Sequence, residues 1–146
     1  EQTYWRTFLN NALLFKGVKE LLEDLRLLEI PLAIVTDLTA QIQYRKMVYF
    51  DLDKFFDYVV TSEESGFDKP HHSSFKLALE KLQPKGDKIW MIGDDPNSDI
   101  YGAKQLGAIT FQKIHSKVLV GKDKFTPDYS FKSYLDLSSY ISPFLN

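Results

Sequence analysis

The sequence predicts one α/β domain with a largely parallel sheet, and two observations carry this prediction. With 146 residues, the chain is long enough for one domain with a substantial buried core. Along it, short apolar runs of strand length alternate with amphipathic segments of helix length. This alternation is typical of β-α-β units, in which consecutive strands run parallel. We therefore expect helices on both faces of one sheet.

Hydrophobic periodicity places the elements in order along the chain. Apolar residues spaced three and four apart predict the helices, which end at breakers such as Pro31 and Gly107. The predicted helices are 3–15, 18–29, 40–49, 73–82, 98–106 and 133–141. The predicted strands are 32–36, 58–61, 89–92, 108–113 and 129–131. The segment 115–128 is less regular; we expect a small hairpin around Gly121 and a solvated face formed by the lysines from Lys113 to Lys124.

Composition and charge narrow the functional classes. A net charge of -2 gives no reason to expect nucleic acid or an anionic membrane as a partner. Without cysteine, the chain has no disulfide, no thiolate metal site and no thiol nucleophile. The apolar runs are too short to cross a bilayer, and the first residues, Glu1-Gln-Thr-Tyr-Trp-Arg, carry no signal pattern. A cytoplasmic location is the default expectation.

The most informative segment follows the third predicted strand, where three acids lie close together. Asp94 and Asp95 come directly after the apolar run that ends in Gly93, and Asp99 lies in the first turn of the next predicted helix. In a parallel α/β protein the carboxyl ends of the strands face the ligand crevice. Two or three carboxylates there suit Mg²⁺, which takes one or two protein carboxylates and leaves room for phosphate oxygens. The sequence therefore predicts a magnesium-dependent phosphoryl-transfer site.

Two other strand ends supply groups that suit the same chemistry. Thr36 closes the first predicted strand with a hydroxyl donor, and Lys69 follows the second with a cation. In phosphoryl transfer the protein mostly positions groups and stabilises charge. Taken singly, Thr36 could be an ordinary β-branched strand residue, Lys69 a solvated loop lysine and Asp99 an acid in a first helical turn. Adjacent acids at a strand end are harder to explain in this way, because they repel each other without a cation.

Taken together, these motifs resemble those of the haloacid dehalogenase-like (HAD) superfamily of hydrolases. Val35-Thr36-Asp37 is similar to that family's second motif, and Lys69-Pro70 is similar to its third. Gly93-Asp94-Asp95 through Asp99 and on to Gly102-Ala103 resembles the fourth motif, GDxxxxD followed by a Gly-Ala helix. The resemblance covers nearly the whole chain, and it implies a three-layer αβα, Rossmann-like fold.

The resemblance also implies roles for these residues. Thr36 would donate a hydrogen bond to the phosphoryl oxygens, and Lys69 would neutralise the nucleophile and the transferring group. Asp94 would coordinate Mg²⁺, Asp99 would support it directly or through water, and Asp95 would be a third ligand.

The implied activity is hydrolysis of a small phosphorylated metabolite through an aspartyl-phosphate. Asp37 belongs with Thr36 and Lys69 among the expected substrate-binding residues, although most relatives have Asn at this position. The alternative is a non-catalytic HAD-like module that binds a phosphorylated ligand or a partner protein. A receiver-like signalling domain is disfavoured because its acid pair precedes the Thr and the Lys. A true dehalogenase is disfavoured because the acids suit magnesium better than halide removal.

One part of the family's site is missing from the sequence. Relatives attack with an aspartate in a DxDx(T/V) motif on their first strand, which here would precede residue 1. Segment 1–16 then resembles the last helix of the cap inserted between motifs one and two, and 17–146 would form the core. The chain is thus expected to be a fragment, inactive alone, whose sheet lacks its central first strand. We expect an upstream segment, an element exchanged from another copy, or direct pairing of the flanking strands to fill this position.

The segment Asp51-Leu-Asp53 has the DxD spacing of the missing motif. However, position 55 is Phe rather than Thr or Val, and no Gly follows. The distance from Thr36 to Lys69 already matches the family when this segment is a helix-to-strand connection. Taking it as the nucleophile would require a permuted order of motifs, so we expect a connection.

Overall fold

The computed structural model describes residues 2–6, 17–37, 40–49, 51–83 and 88–144, and a six-stranded parallel sheet runs through it. The strands are β1 (Gln2–Arg6), β2 (Leu32–Thr36), β3 (Tyr58–Thr61), β4 (Lys88–Gly93), β5 (Ile109–Lys113) and β6 (Tyr129–Phe131). They pair in the order β3-β2-β1-β4-β5-β6, and every pair is parallel. The strand order changes direction between β1 and β4. In open α/β sheets, ligands bind outside the carboxyl ends of the strands at such a point.

Helices cover both faces of the sheet. They are α1 (Val18–Leu27), α2 (Ala40–Tyr49), α3 (Ser62–Ser65), α4 (His72–Leu82), α5 (Gly102–Lys104) and α6 (Tyr134–Ile141). Residues of α1 and α6 pack on one face, in a core that includes Leu22, Trp90 and Leu137. Residues of α4 and α5 pack on the other face, around Phe75 and Met91. The three-layer αβα fold predicted from the sequence is confirmed.

Helix α1 illustrates why the elements form where the pattern places them. Val18, Leu21, Leu22 and Leu25 recur at helical spacing, and all four are buried. The chain enters the helix through Gly17 at a φ of 90°, a conformation that residues with a Cβ rarely adopt. The four apolar residues thus define the face of α1 that packs on the sheet, and Gly17 allows the turn into the helix.

Strand β1 corrects the prediction for the start of the chain. A helix over 3–15 is expected, but Gln2–Arg6 is a strand between β2 and β4, with Tyr4 level with both Leu32 and Trp90. The rest of that predicted helix lies outside the described residues. Two parallel strands offer hydrogen-bond partners on both sides, and satisfying these backbone groups outweighs a local helical pattern.

The central position of the sheet is therefore filled, as predicted. It is filled by the chain's own residues Gln2–Arg6, and not by an upstream segment, an element from another copy or direct pairing of the flanking strands. Gln2–Arg6 contains no carboxylate. No described strand carries the family's nucleophile motif, and the expectation that this motif lies upstream remains a prediction. The assignment of 1–16 to a cap remnant remains a prediction.

The other predicted elements are confirmed to within a few residues, with three differences. The helix predicted from residue 98 begins earlier, as the π-helix Pro96–Tyr101, and continues into α5. Helix α3 has no counterpart among the predicted elements. The hairpin expected around Gly121 is wrong, because the antiparallel pairing is a single bridge between His115 and Val118. Within the described ranges, no helix is long and apolar enough to span a bilayer.

Candidate active site at the carboxyl edge of the sheet

The predicted site residues meet at the carboxyl edge of the sheet. Thr36 ends β2, Lys69 lies in the loop between α3 and α4, and the three acids follow β4. Hydrogen bonds of the Lys69 ammonium group join these three segments. The structure therefore brings together groups that are far apart in the sequence.

Lys69 is buried, and its polar groups point into the protein. Its Nζ donates to Oδ1 of Asp99 at 2.6 Å and to the carbonyl oxygen of Val35 at 3.2 Å. The side chains of Lys69 and Asp99 are only 1% and 0% exposed. Removing two charges from water costs several kcal/mol each, so such a pair persists only when its hydrogen bonds are well formed. The short bond to Asp99 meets this condition.

Asp99 uses both of its carboxylate oxygens inside the protein. Oδ1 accepts from Lys69, and Oδ2 accepts from the backbone N–H groups of Asp94 at 3.2 Å and Asp95 at 3.1 Å. Gly93 permits this close approach, because a Cβ there would lie 2.6 Å from Oδ2 of Asp99. Asp99 thus closes the turn after β4 and holds Lys69 at the edge of the sheet.

Only one of the two carboxylate oxygens of Asp94 has a hydrogen-bond partner among the described residues. Its Oδ2 lies 3.1 Å from Nε2 of His115, whereas its Oδ1 is buried and finds no hydrogen-bond partner among the described residues. Burial raises the pKa of the Asp94 carboxyl above its ordinary value, the charge of Asp99 raises it further, and the hydrogen bond with His115 opposes both effects. Because a buried oxygen without a partner costs free energy, this one is suited to a cation.

Asp95 caps the helix that follows it. Its Oδ1 accepts from the backbone N–H groups of Asn97 at 2.9 Å and Ser98 at 3.0 Å. Pro96 occupies the first position of the π-helix, where a backbone N–H is not needed. One oxygen of Asp95 is therefore occupied by capping, and its role as a third metal ligand remains a prediction that depends on the other oxygen.

Thr36 and Asp37 lie at the end of β2, on the other side of Lys69. Thr36 is buried. Asp37 accepts the backbone N–H of Lys69 at Oδ1, over 2.9 Å, and its carbonyl oxygen accepts from Oγ of Ser62 at 3.0 Å. Partial burial raises the pKa of the Asp37 carboxyl, although the N–H and the charge of Lys69 act to lower it. Asp37 therefore fixes the loop that carries Lys69, and its contact with a substrate remains a prediction.

The end of β5 adds three residues to the site that the motifs do not include. His115 contacts Asp94, and the buried Gln112 donates from Nε2 to the carbonyl oxygen of Asp94 at 3.4 Å. Lys113 is 5% exposed, so the solvated face expected for it is wrong. Burial lowers the pKa of Lys113, and the nearby charge of Asp94 raises it. Their position at the carboxyl end of a parallel strand is the signal that could have identified these residues.

Asp51 and Asp53 lie away from the site. Asp51 forms an exposed ion pair with Lys54, with 3.1 Å between Oδ2 and Nζ. Next to this segment, the carboxylate of Asp57 accepts the N–H of Leu32, the first residue of β2. The segment therefore lies at the amino edge of the sheet. It is the expected helix-to-strand connection, and the permuted order is ruled out.

The residues present fit a magnesium ion that has few protein ligands. In the ranges that the structure covers, no group of three His, Cys, Asp or Glu side chains is placed to hold a metal together. Mg²⁺ commonly takes one or two protein carboxylates and completes its shell with waters and phosphate oxygens. Oδ1 of Asp94, which has no hydrogen-bond partner among the described residues, suits direct contact with such an ion. Both oxygens of Asp99 already accept hydrogen bonds, so its role as a metal ligand remains a prediction.

Comparisons with known proteins agree with this geometry. The model of the haloacid dehalogenase-like hydrolase family matches residues 2–112. The ribulose-1,5-bisphosphate 5-phosphatase of Halopiger xanaduensis is 38% identical over 107 residues, which are 73% of this chain and 45% of the relative. The glyceraldehyde 3-phosphate phosphatase of Methanocaldococcus jannaschii is 34% identical over 124 residues, which are 85% of this chain and 54% of the relative. The chain thus spans about half the length of these curated relatives.

Solved structures share the fold. The HAD phosphatase of Thermococcus onnurineus is 25% identical, with a TM-score of 0.77 over 87% of this chain and 57% of that protein. The HAD-hydrolase YfnB of Bacillus subtilis, solved with bound magnesium, is also 25% identical, with a TM-score of 0.76 over 88% of this chain and 55% of that protein. From the family match, the motifs and the fold together, we conclude that the chain belongs to the haloacid dehalogenase-like hydrolase family.

Proposed function

We propose that this chain forms most of the catalytic core of a Mg²⁺-dependent phosphohydrolase that acts on a small phosphorylated metabolite. The observation that carries the proposal concerns Oδ1 of Asp94. This oxygen is buried at the carboxyl edge of the sheet and lacks a hydrogen-bond partner in the described part of the chain. The relatives named as phosphatases of glyceraldehyde 3-phosphate and ribulose-1,5-bisphosphate support the substrate class. The magnesium bound to YfnB supports the choice of metal.

Some residues of the chain bind the phosphoryl group and others position these binding residues. The hydroxyl of Thr36 donates a hydrogen bond to a phosphoryl oxygen, and Lys69 supplies a fixed positive charge. Asp99 holds Lys69 and the turn that carries Asp94, and Asp37 holds the backbone of Lys69. When bound to Asp94, Mg²⁺ neutralises negative charge on the phosphoryl oxygens.

The attacking aspartate lies outside this chain in our proposal. Residues 2–19 contain neither Asp nor Glu, and β1 lies next to β2 and β4 without a carboxylate. Reaction through an aspartyl-phosphate needs a carboxylate within reach of the phosphorus atom. The chain alone should therefore bind phosphate without turning over a substrate. The cap-remnant assignment of 1–16 and a cytoplasmic location remain predictions of the same kind.

A non-catalytic module that binds a phosphorylated ligand or a partner protein is the second candidate. The central strand without a carboxylate favours it. In this case Thr36, Lys69 and Asp94 would still bind phosphate and metal, but no bond would be broken.

The coding sequence upstream of Glu1 discriminates between the two candidates. An in-frame segment that encodes a strand ending in DxDx(T/V), followed by helical cap sequence, would support the phosphatase. A start codon or a stop codon directly upstream would support the stand-alone module.

Binding of inorganic phosphate, with and without Mg²⁺, tests the site that both candidates share. Titrations followed by amide NMR shifts should show that each ion tightens the binding of the other. Thr36→Val should weaken phosphate binding by about tenfold, because one hydrogen bond to a charged ligand is lost. Thr126→Val, on an exposed loop, is the matched control and should have no effect. Phosphate binding that neither Mg²⁺ nor Thr36→Val alters would contradict the proposal.

A further inference from the structure

His115 lies beside the proposed metal ligand, and both nitrogens of its ring are engaged. Nδ1 accepts the backbone N–H of Lys117 at 3.3 Å, and Nε2 lies 3.1 Å from Oδ2 of Asp94. Because Nδ1 is an acceptor, the neutral ring carries its proton on Nε2, which therefore donates to Asp94. This bond occupies one oxygen of Asp94 and leaves the other, which has no partner among the described residues, for a cation.

The segment that carries His115 is held in place independently of the Asp94 carboxylate. The backbone N–H of Val118 donates to the carbonyl oxygen of His115 at 3.0 Å, as part of the bridge between these two residues. The buried Gln112 donates from Nε2 to the carbonyl oxygen of Leu119 at 2.8 Å and accepts the N–H of Gly121 at Oε1 over 3.0 Å. The imidazole is thus a fixed donor toward which the Asp94 carboxylate must turn.

Fixed donors of this kind matter for metal ligands. Carboxylates that bind metals in proteins are themselves hydrogen-bonded, and this outer bond sets which oxygen faces the ion. Loss of such a partner typically weakens metal binding by about 10- to 100-fold. In the described part of this site, Asp94 is the predicted ligand whose buried oxygen has no hydrogen-bond partner, so the orientation of its carboxylate should govern metal affinity.

We propose that His115 is a positioning residue for the metal: by holding Oδ2 of Asp94, it directs Oδ1 toward Mg²⁺. This inference rests on the proposed function, since it assumes that Asp94 binds the cation. His115 lies outside the motifs that identify the family in this sequence, and it acts through Asp94 without touching the substrate.

Titration of the chain with Mg²⁺, followed by the amide NMR shifts of Asp94 and Asp95, tests the proposal directly. We expect His115→Ala to weaken Mg²⁺ binding by about tenfold or more. His115→Gln, which keeps an N–H donor at a similar reach, should restore most of the affinity. His72→Ala is the matched control, because His72 is exposed at the start of α4 and its ring makes only a tilted contact with His71 among the described rings. Thermal melts in metal-free buffer establish that each variant is folded.

The outcomes separate this inference from the proposed function. If the unsubstituted chain fails to bind Mg²⁺, or Asp94→Asn binds it equally well, the proposed metal site is wrong and the inference falls with it. If Asp94→Asn abolishes binding but folded His115→Ala binds Mg²⁺ as tightly as the unsubstituted chain, only the inference is overturned. Equal weakening by His115→Ala and His115→Gln would also overturn it, because the donor would then be irrelevant.

Discussion

Asp94 and Asp99 lie on the same turn after β4, yet their carboxylates have opposite surroundings. Asp99 is fully buried, and its oxygens accept from the ammonium group of Lys69 and from two backbone N–H groups. Asp94 accepts from His115 with one oxygen, and within the described ranges the other oxygen has no partner. The protein satisfies both oxygens of the first carboxylate, whereas the second keeps one unsatisfied oxygen, which we propose binds the metal.

If Asp94 binds the metal as we propose, one motif holds one acid that stabilises the fold and another that binds a ligand. Removing a partner of Asp99 should destabilise the fold, because a buried charge would be left uncompensated. Removing the charge of Asp94 should stabilise the metal-free fold, because its buried oxygen is unsatisfied there. The sequence motif contains both acids and gives no sign of this division.

The largest expected effect is that of Lys69→Met. It leaves the Asp99 carboxylate buried without its counter-ion, so we expect the free energy of unfolding to fall by about 3–5 kcal/mol. Urea denaturation measures this loss. Lys54→Met is the control. Lys54 forms an ion pair with Asp51 at the surface, where their side chains are 52% and 70% exposed, and such a pair contributes little to stability.

The pairing itself can be tested with the double variant. Asp99→Asn retains acceptors for the backbone N–H groups but removes the charge. If Lys69 and Asp99 stabilise each other, Lys69→Met together with Asp99→Asn should cost less than the sum of the single changes, by about 1–3 kcal/mol. Strict additivity would show that the two residues are not coupled.

Gly93→Ala should have the next largest effect. A Cβ at this position would lie 2.6 Å from Oδ2 and 2.7 Å from Cβ and Cγ of Asp99, so the turn after β4 must shift. Overpacking of this kind costs about 1–3 kcal/mol. Urea denaturation measures the cost, and the amide shifts of Asp94 and Asp95 report the displacement. An unchanged stability would mean that Asp99 does not need the close approach.

Asp94→Asn should stabilise the metal-free chain by about 1 kcal/mol, because it removes a buried charge with an unsatisfied oxygen. The asparagine can still accept the hydrogen bond from His115. Thermal or urea unfolding in the presence of a chelator measures the gain. A loss of stability would indicate that the Asp94 carboxylate is satisfied without a metal, against our interpretation.

The stability difference between the unsubstituted chain and Asp94→Asn should depend on pH. Burial, with the charge of Asp99, holds the pKa of the Asp94 carboxyl above 3.8 in the folded state. Between that ordinary value and the folded pKa, the folded state binds more protons than the unfolded state, so stability falls as the pH rises. The advantage of Asp94→Asn should therefore vanish at low pH and reach its full size above the folded pKa. An advantage that is constant across this range would contradict the pKa shift.

Asp37→Asn should have the smallest effect on stability, within about 0.5 kcal/mol, because an amide oxygen can still accept the N–H of Lys69. With one negative charge fewer near the proposed phosphate site, we expect phosphate binding to tighten by roughly 2- to 5-fold. Amide NMR titration with inorganic phosphate measures this change. Weaker binding would mean that the Asp37 carboxylate assists the ligand.

Much of the site could be predicted because parallel strands align their carboxyl ends at one edge. Thr36, Lys69 and the acids after β4 each follow a strand, so the fold itself brings them together. The capping role of Asp95 also has a local signal, since an acid before Pro96 is typical of a helix start. These features depend on short-range sequence and on one rule of topology.

Other features depend on contacts that no local pattern encodes. His115 follows an irregular boundary, and its bond to Asp94 requires the register of β5 against β4. The periodicity predicts a helix over 3–15, but Gln2–Arg6 is a strand, because a local pattern contains no information on the two strands that flank it. The saturation of Asp99 and the open oxygen of Asp94 likewise appear only when the turn is closed.

The most direct test of the division between the two acids is a crystal structure of the chain soaked in Mn²⁺, which stands in for Mg²⁺ and scatters anomalously. We expect an anomalous peak at about 2.0–2.3 Å from Oδ1 of Asp94, with the Lys69–Asp99 pair intact. A peak bound directly to Asp99 with Lys69 displaced, or no peak at Asp94, would contradict our account.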